Sequence, residues 1–137
     1  MALVTRVTVD LRKEAMPNPD DQTASPEADL RAISSTLHLD PSVVRQFIAD
    51  YLRLLPTRLH RIDDDLERGD VPAATVSLLS LATSSTMLGA DDVSAAAQRV
   101  REGSAAGNQA AVRDGRQLLL SSAEHTRDRL ARLSAQG

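Results

Sequence analysis

The sequence predicts an all-α protein: an antiparallel, up-down-up-down four-helix bundle with a short extra helix at its N-terminal end. Apolar residues recur at three- and four-residue steps along several segments, which is the spacing of one face of an α-helix. The long segments are separated by short turns that contain glycine, at Gly69-Asp70, Gly89 and Gly107-Asn108. Short turns between long helices return each helix alongside the one before it, as in an up-down bundle.

The second predicted helix has the clearest pattern. Asp40 is a suitable N-cap, and Pro41 suits the first turn, where the amide hydrogen that proline lacks would be unpaired anyway. Pro56 lies inside this helix, a position where proline normally costs about 3 kcal/mol. Because the apolar phase continues across Pro56, we expect a kink there and not a break. The apolar stripe comprises Val44, Ile48, Tyr51, Leu55, Leu59, Ile62 and Leu66.

The other helices follow the same periodicity. The first is short, turns Leu30, Ile33 and Leu37 inward, and is expected to lie as a lid across one end of the bundle. The inner line of the third helix is predicted to contain Val71, Ala74, Leu78, Leu81, Ser85 and Leu88. That of the fourth contains Val93, Ala96, Ala97 and Val100, and that of the fifth Val112, Leu119, Ala123, Thr126, Leu130 and Leu133.

Local turn chemistry supports these helix ends. Gly69 can adopt the left-handed conformation that closes a helix, and Asp70 can cap the next one. Gly107-Asn108 repeats this arrangement before the fifth helix. Gly115 falls on the inner line of that helix, where the missing side chain would let a neighbouring helix approach closely.

The chain divides into a tail and one domain. Residues 1–27 contain Pro17, Pro19 and Pro26 among polar residues, a composition that cannot bury enough apolar surface to become ordered, so we expect a flexible N-terminal tail. The alternation of Val7, Val9 and Leu11 leaves open a strand that pairs with a partner. Residues 28–137 form the predicted helical bundle domain.

Composition excludes several classes of function. The chain of 137 residues has no cysteine, so disulfides and thiolate chemistry are excluded. Neither a secretory signal nor an apolar run of about 18 residues is evident, and we expect a cytoplasmic protein that does not enter a membrane. The net charge of −3 and the near absence of aromatic residues argue against nucleic acid as a partner.

An acidic run also invites a metal-site interpretation. Asp63, Asp64, Asp65 and Glu67 lie within five positions, but consecutive helical residues point in different directions and cannot converge on one ion. We therefore expect a solvated helix face. Since phosphate-binding loops, nucleophile elbows and HExxH helices are also missing, the sequence predicts no enzyme, no metal and no cofactor.

The segment LLSLATSSTMLGADD, residues 78–92, resembles the central helix of histidine-containing phosphotransfer (HPt) domains. In that family the phosphorylated histidine lies ten positions before the glycine that ends the helix, which corresponds here to Leu79 and Gly89. The resemblance covers about residues 28–133, through the FIADYLRLLPTRL segment and the glycine turns. It implies a four-helix bundle that serves phosphoryl transfer among receiver domains and histidine kinases.

The three positions that carry chemistry in the family are all different here. Leu79 stands in place of the histidine, Ala82 in place of a lysine that holds the phosphoryl group, and Thr83 in place of a glycine that lets a partner approach. Leucine has no nucleophilic atom. The resemblance therefore implies a non-catalytic HPt-like signalling protein of a two-component pathway, which binds a receiver domain or a histidine kinase without accepting phosphate.

A helical wheel places the predicted partner-binding residues. At 100° per residue, Thr75, Leu79, Thr83 and Thr86 follow an exposed stripe beside the buried line, with Ala82 at its border. We interpret this stripe as a docking face. The alternative is a chance surface leucine, since single exposed leucines are common.

Two other functions stay open. The chain is alternatively an active phosphotransfer protein that uses His60, which is the least unsuitable of three histidines otherwise expected to be solvated. The third possibility is an unrelated scaffold bundle in which Leu79 and its neighbours form a homodimer contact.

Overall fold

A computed structural model describes residues 26–135, and these residues form five α-helices. They are α1 (Pro26–Leu37), α2 (Pro41–Glu67), α3 (Val71–Met87), α4 (Asp91–Ala106) and α5 (Gln109–Ser134). The all-α prediction is confirmed for this part of the chain. Helix α1 begins at Pro26, two residues before the predicted start of the domain at residue 28. The predicted tail up to residue 25, with the alternation of Val7, Val9 and Leu11, lies outside the described residues.

The helix ends follow from local chemistry. Gly69 has a φ of 70° and Gly107 a φ of 69°, so both occupy the left-handed region that favours glycine. The side chains of Asp70 and Asn108 accept hydrogen bonds of 3.1 Å from the backbone N–H groups of Ala73 and Ala111. Asp40 also occupies an N-cap position, but its side chain makes no capping bond.

Helix α2 continues through Pro56 for 27 residues, as the unbroken apolar phase predicted. Pro56 lies on the exposed side of the helix. Two residues of the predicted stripe, Leu59 and Leu66, are half-buried, and the other five belong to the core: Val44, Ile48, Tyr51, Leu55 and Ile62.

Helices α3, α4 and α5 pack closely because small residues line their contacts. A β-carbon added to Gly115 of α5 would lie 2.8 Å from Val100 Cγ2 of α4, which is too short for an unstrained contact. One added to Gly103 of α4 would lie 3.0 Å from the Cβ of Ala111. The absent side chain at Gly115 therefore allows the close approach that the sequence predicted.

Helix α2 contacts α3 and α5, and α1 contacts α2 and α5. The α2–α5 contact includes an ion pair of 2.9 Å between Asp63 and Arg116. In the α1–α5 contact, the Arg129 guanidinium lies 3.1 Å from Asp29 and also donates to the carbonyl of Leu88 at 3.4 Å. Arg129 thus joins the first helix, the last helix and the end of α3.

Two burial predictions are wrong. Val71 was expected on the inner line of α3, yet as the first residue of the helix it is exposed. Asp65 was expected on a solvated face, yet it is buried. Its carboxylate accepts hydrogen bonds from Arg68 at 2.6 Å and from Ser77 of α3 at 3.1 Å, so burial is offset by two donors.

Among residues 26–135, no helix is both long and apolar enough to cross a bilayer.

Candidate docking face on helix α3

Helix α3 is distinguished by its lack of charge. None of its 17 residues is acidic or basic, so its outward side offers only apolar, hydroxyl and small side chains. Leu79 is 41% exposed and Val76 is 69% exposed. Exposed surface without charge is typical of a contact region, because carboxylates and amines resist desolvation in the centre of an interface.

The structure brings most of the predicted site residues to this surface. Thr83 and Thr86 are exposed together with Leu79, and Thr75 is half-buried. The Thr86 hydroxyl shares a hydrogen bond of 2.8 Å with Ser94 of α4. The stripe therefore follows the side of α3 that adjoins α4.

Ala82 is the exception among the predicted site residues. Its side chain is only 3% exposed and belongs to the hydrophobic core. The small inner residues of α4 let that helix lie close to α3, so a position at the border of the wheel is covered. Ala82 therefore supports the face from below and does not offer a contact to a partner.

Sequence reasoning missed Val76 and Met87, which extend the exposed surface around the outward side of α3. Val76 is the most exposed of the large apolar residues in the described part of the chain, and Met87 is 38% exposed. The same wheel contains this signal, because position 76 falls about 160° from Leu78 and points away from the core. We refer to Val76, Leu79, Thr83, Thr86 and Met87 as the α3 face.

Two serines of α3 make polar contacts with α2. Ser84 Oγ accepts a hydrogen bond of 3.1 Å from the Arg58 guanidinium. Ser85, fully buried, shares a hydrogen bond of 2.7 Å with the Tyr51 hydroxyl. These contacts satisfy the polar groups between α2 and α3 and fix the two helices relative to each other.

Burial raises the pKa of the Tyr51 phenol above its ordinary value of 10.0, while the bond with Ser85 and the charge of Arg58 act in the opposite direction. The folded state therefore favours the neutral phenol. Below the pKa of Tyr51 in the unfolded chain, which is near the ordinary value, the neutral phenol contributes its full share of the folding stability. That share is lost as the pH rises through the higher pKa of Tyr51 in the folded protein.

Tyrosinate absorbance checks this prediction, because Tyr51 is the single tyrosine and the chain has no tryptophan. In the native protein the transition is expected above 10.0, the ordinary value, and in denaturant it should return to that value. The variant Tyr51→Phe should lose less stability than wild type over the same alkaline range. Titration of native Tyr51 at the ordinary pKa would contradict the burial of its phenol.

The three histidines lie apart from the α3 face. His60 is on α2, with its side chain 79% exposed and its Nε2 3.7 Å from a carboxylate oxygen of Asp64. His125 is exposed on α5, and His38 is exposed in the left-handed conformation after α1. Within residues 26–135, no three His, Cys, Asp or Glu side chains are grouped so that they could hold a metal ion.

No protein-family model, no curated protein and no solved structure matches this chain.

Proposed function

We propose that this protein is a non-catalytic, HPt-like member of a two-component phosphorelay, which binds a receiver domain or a histidine kinase through the α3 face. Such binding would compete with an active phosphotransfer protein or hold a regulator in one state. We place this activity in the cytoplasm. The single observation that carries it is an uncharged helix surface in which Leu79, at the position of the family's phosphorylated histidine, is exposed.

The pairwise contacts of the helices support an antiparallel up-down bundle as the scaffold. Along α2, Tyr51 contacts Ser85 of α3, and Asp65, two heptads further on, contacts Ser77. As the contacts advance along α2 they move back along α3, which is the arrangement of two antiparallel helices. Between α4 and α5, Gly103 lies against Ala111 and Val112, and Val100 lies against Gly115, so the order is reversed again. We place α1 across one end of this bundle.

The chemistry of Leu79 supports a binding role. Phosphoryl transfer through an HPt site needs an exposed imidazole whose unprotonated nitrogen attacks an aspartyl phosphate. An exposed leucine offers apolar area but no nucleophile. Such a face would contact a receiver domain without taking its phosphoryl group, so its effect would come only from occupying the partner's binding surface.

Calorimetric titration with the receiver domains and histidine kinases of the same cell tests this function. At least one should bind, and addition of a phosphorylated receiver should leave the protein without acid-labile label. Failure of every receiver and kinase to bind would refute the proposal. Label on wild type that is lost in His60→Ala would instead support the active alternative.

A gain-of-function variant tests the resemblance at Leu79. The variant Leu79→His with Thr83→Gly supplies the nucleophile and removes a side chain that would hinder approach, so we expect it to acquire acid-labile label from a phosphorylated receiver. Lysine at position 82 is left out, because Ala82 is buried and an ammonium group there would be poorly solvated. A variant that folds as wild type and binds the receiver, yet takes no label, would contradict the proposed register.

A further inference from the structure

Arginines border the α3 face on both sides. Arg58 of α2 reaches Ser84, and Arg61 is one helical turn further along the same side of α2. On the other side, Arg101 of α4 is two turns beyond Ser94, the residue that bonds to Thr86. These positions place Arg58 and Arg61 along one edge of the face and Arg101 along the opposite edge.

None of these three guanidinium groups lies within 4.0 Å of a carboxylate of the described residues. Of their contacts in residues 26–135, Arg58 donates to Ser84 and Arg101 Nε donates to Gln98 at 2.8 Å, and neither acceptor is charged. Five other arginines of the described residues each lie within 4.0 Å of an aspartate: Arg53, Arg68, Arg116, Arg127 and Arg129. Asp50, on the same side of α2 as Arg61, already accepts from Arg53 and Gln46. Asp64 and Asp65 line the same pocket as Arg61, but Asp65 already accepts from Arg68 and Ser77. The three guanidinium groups are therefore available to pair with carboxylates of a partner beside a surface with no charge.

We propose that the α3 face accepts an acidic protein surface, in which an apolar centre packs on Val76 and Leu79 and carboxylates pair with Arg58, Arg61 and Arg101. This inference rests on the proposed function for the location of the contact and adds the chemistry of the partner. Charge complementarity carries it: an uncharged centre flanked by guanidinium groups without ion pairs matches an apolar centre flanked by carboxylates.

A second copy of the chain fits this face less well. Two copies that meet through their α3 faces are related by a two-fold axis in the plane of contact. With the axis across α3, the edge that contains Arg58 and Arg61 meets its own copy. With the axis along α3, the same edge meets the edge that contains Arg101. Like charges oppose each other in both arrangements, whereas an acidic partner is attracted in either orientation.

Nucleic acid and membrane surfaces also match less well. A phosphate backbone would pair with the arginines but would leave Val76 and Leu79 without an apolar counterpart. Insertion into a bilayer would bury Ser80 and Thr83 together with those residues, with few large side chains to offset the loss of hydration. An acidic protein surface satisfies both the apolar and the charged groups.

Helical peptides provide a defined probe. One peptide has a leucine stripe flanked by glutamates, and its matched control has glutamine at each of those positions. Binding is followed by the backbone amide signals of the isotope-labelled protein. At low salt we expect the glutamate peptide to bind about tenfold more tightly, since a few exposed ion pairs together contribute roughly that factor. Added salt should remove most of this difference.

Variants locate the effect. The double change Arg58→Gln and Arg61→Gln should abolish most of the preference for glutamate, whereas Arg113→Gln, on an exposed position of α5 outside the border, should preserve it. Signals of residues 75–87 should shift first. Equal binding of the two peptides, no response of α3, or an unchanged preference in the double variant would each overturn the inference.

The two proposals fail separately. If receivers and kinases bind but the glutamate preference is missing, the acidic chemistry is wrong and the proposed function stands. If the glutamate peptide binds at α3 as described and no receiver or kinase binds, the phosphorelay role is wrong and the acidic partner is a protein outside the phosphorelay.

Discussion

Replacement of Leu79 by aspartate is expected to weaken binding of the proposed partner, a receiver domain or histidine kinase, about 100-fold. The change removes apolar area from the centre of the α3 face and places a carboxylate where the partner would have to desolvate it. Loss of a central interface side chain typically costs about 2 kcal/mol or more, and an unpaired charge adds to that cost. Calorimetric titration of both proteins with the same partner measures the change.

Leu118→Asp is the matched control. Leu118 is also 41% exposed, but it lies on α5 and not on the α3 face. Both substitutions put aspartate in place of an exposed helical leucine, so their effects on folding are expected to be small and similar. Equal loss of binding in the two variants would show that the effect is not specific to α3.

Light scattering of wild type and Leu79→Asp also tests the homodimer alternative, which predicts a dimer that this change dissociates.

Gly115→Ala is expected to destabilise the protein by about 1–3 kcal/mol, the usual cost of overpacking a core. In an isolated helix the same change would be favourable by about 1 kcal/mol, because alanine is the better helix former. Here the added Cβ would lie 2.8 Å from Val100 Cγ2 and 3.3 Å from the Val100 backbone nitrogen. The clash should outweigh the gain in helix propensity, and denaturant unfolding measures the balance.

A second background decides whether the clash is the cause. In Val100→Ala the methyl group nearest to position 115 is absent, so Gly115→Ala should there be close to neutral or stabilising. This reversal of sign is a coupling between two positions in contact, which a double-mutant cycle isolates. The same destabilisation in both backgrounds would show that Val100 Cγ2 does not limit the approach of α4 and α5.

The sequence predicted the helices and their ends well because those features depend on local chemistry. Gly69 with Asp70, and Gly107 with Asn108, determine the end of one helix and the cap of the next within a few residues. The apolar phase across Pro56 likewise predicted that α2 would continue. None of these predictions needed knowledge of which helices meet in space.

Contacts between helices account for the errors. Asp65 lies in an acidic run that is typical of a solvated surface, and its burial depends on Ser77 of the next helix. Ala82 lies at a border that a wheel alone cannot assign, because the separation of α3 and α4 depends on the small residues of both helices. The uncompensated arginines were missed for the same reason, since pairing is a property of the folded chain.

The connections between the helices have a consequence for assembly. Each helix from α2 to α5 contacts its neighbour in the chain across a turn of a few residues. Most of the contact between helices therefore forms at a small cost in loop-closure entropy. The contact of Asp29 with Arg129 instead joins positions 100 residues apart. Contacts of low sequence separation generally form fastest. Chain entropy therefore favours the α1–α5 contact as a late step, after α2 to α5 have packed together.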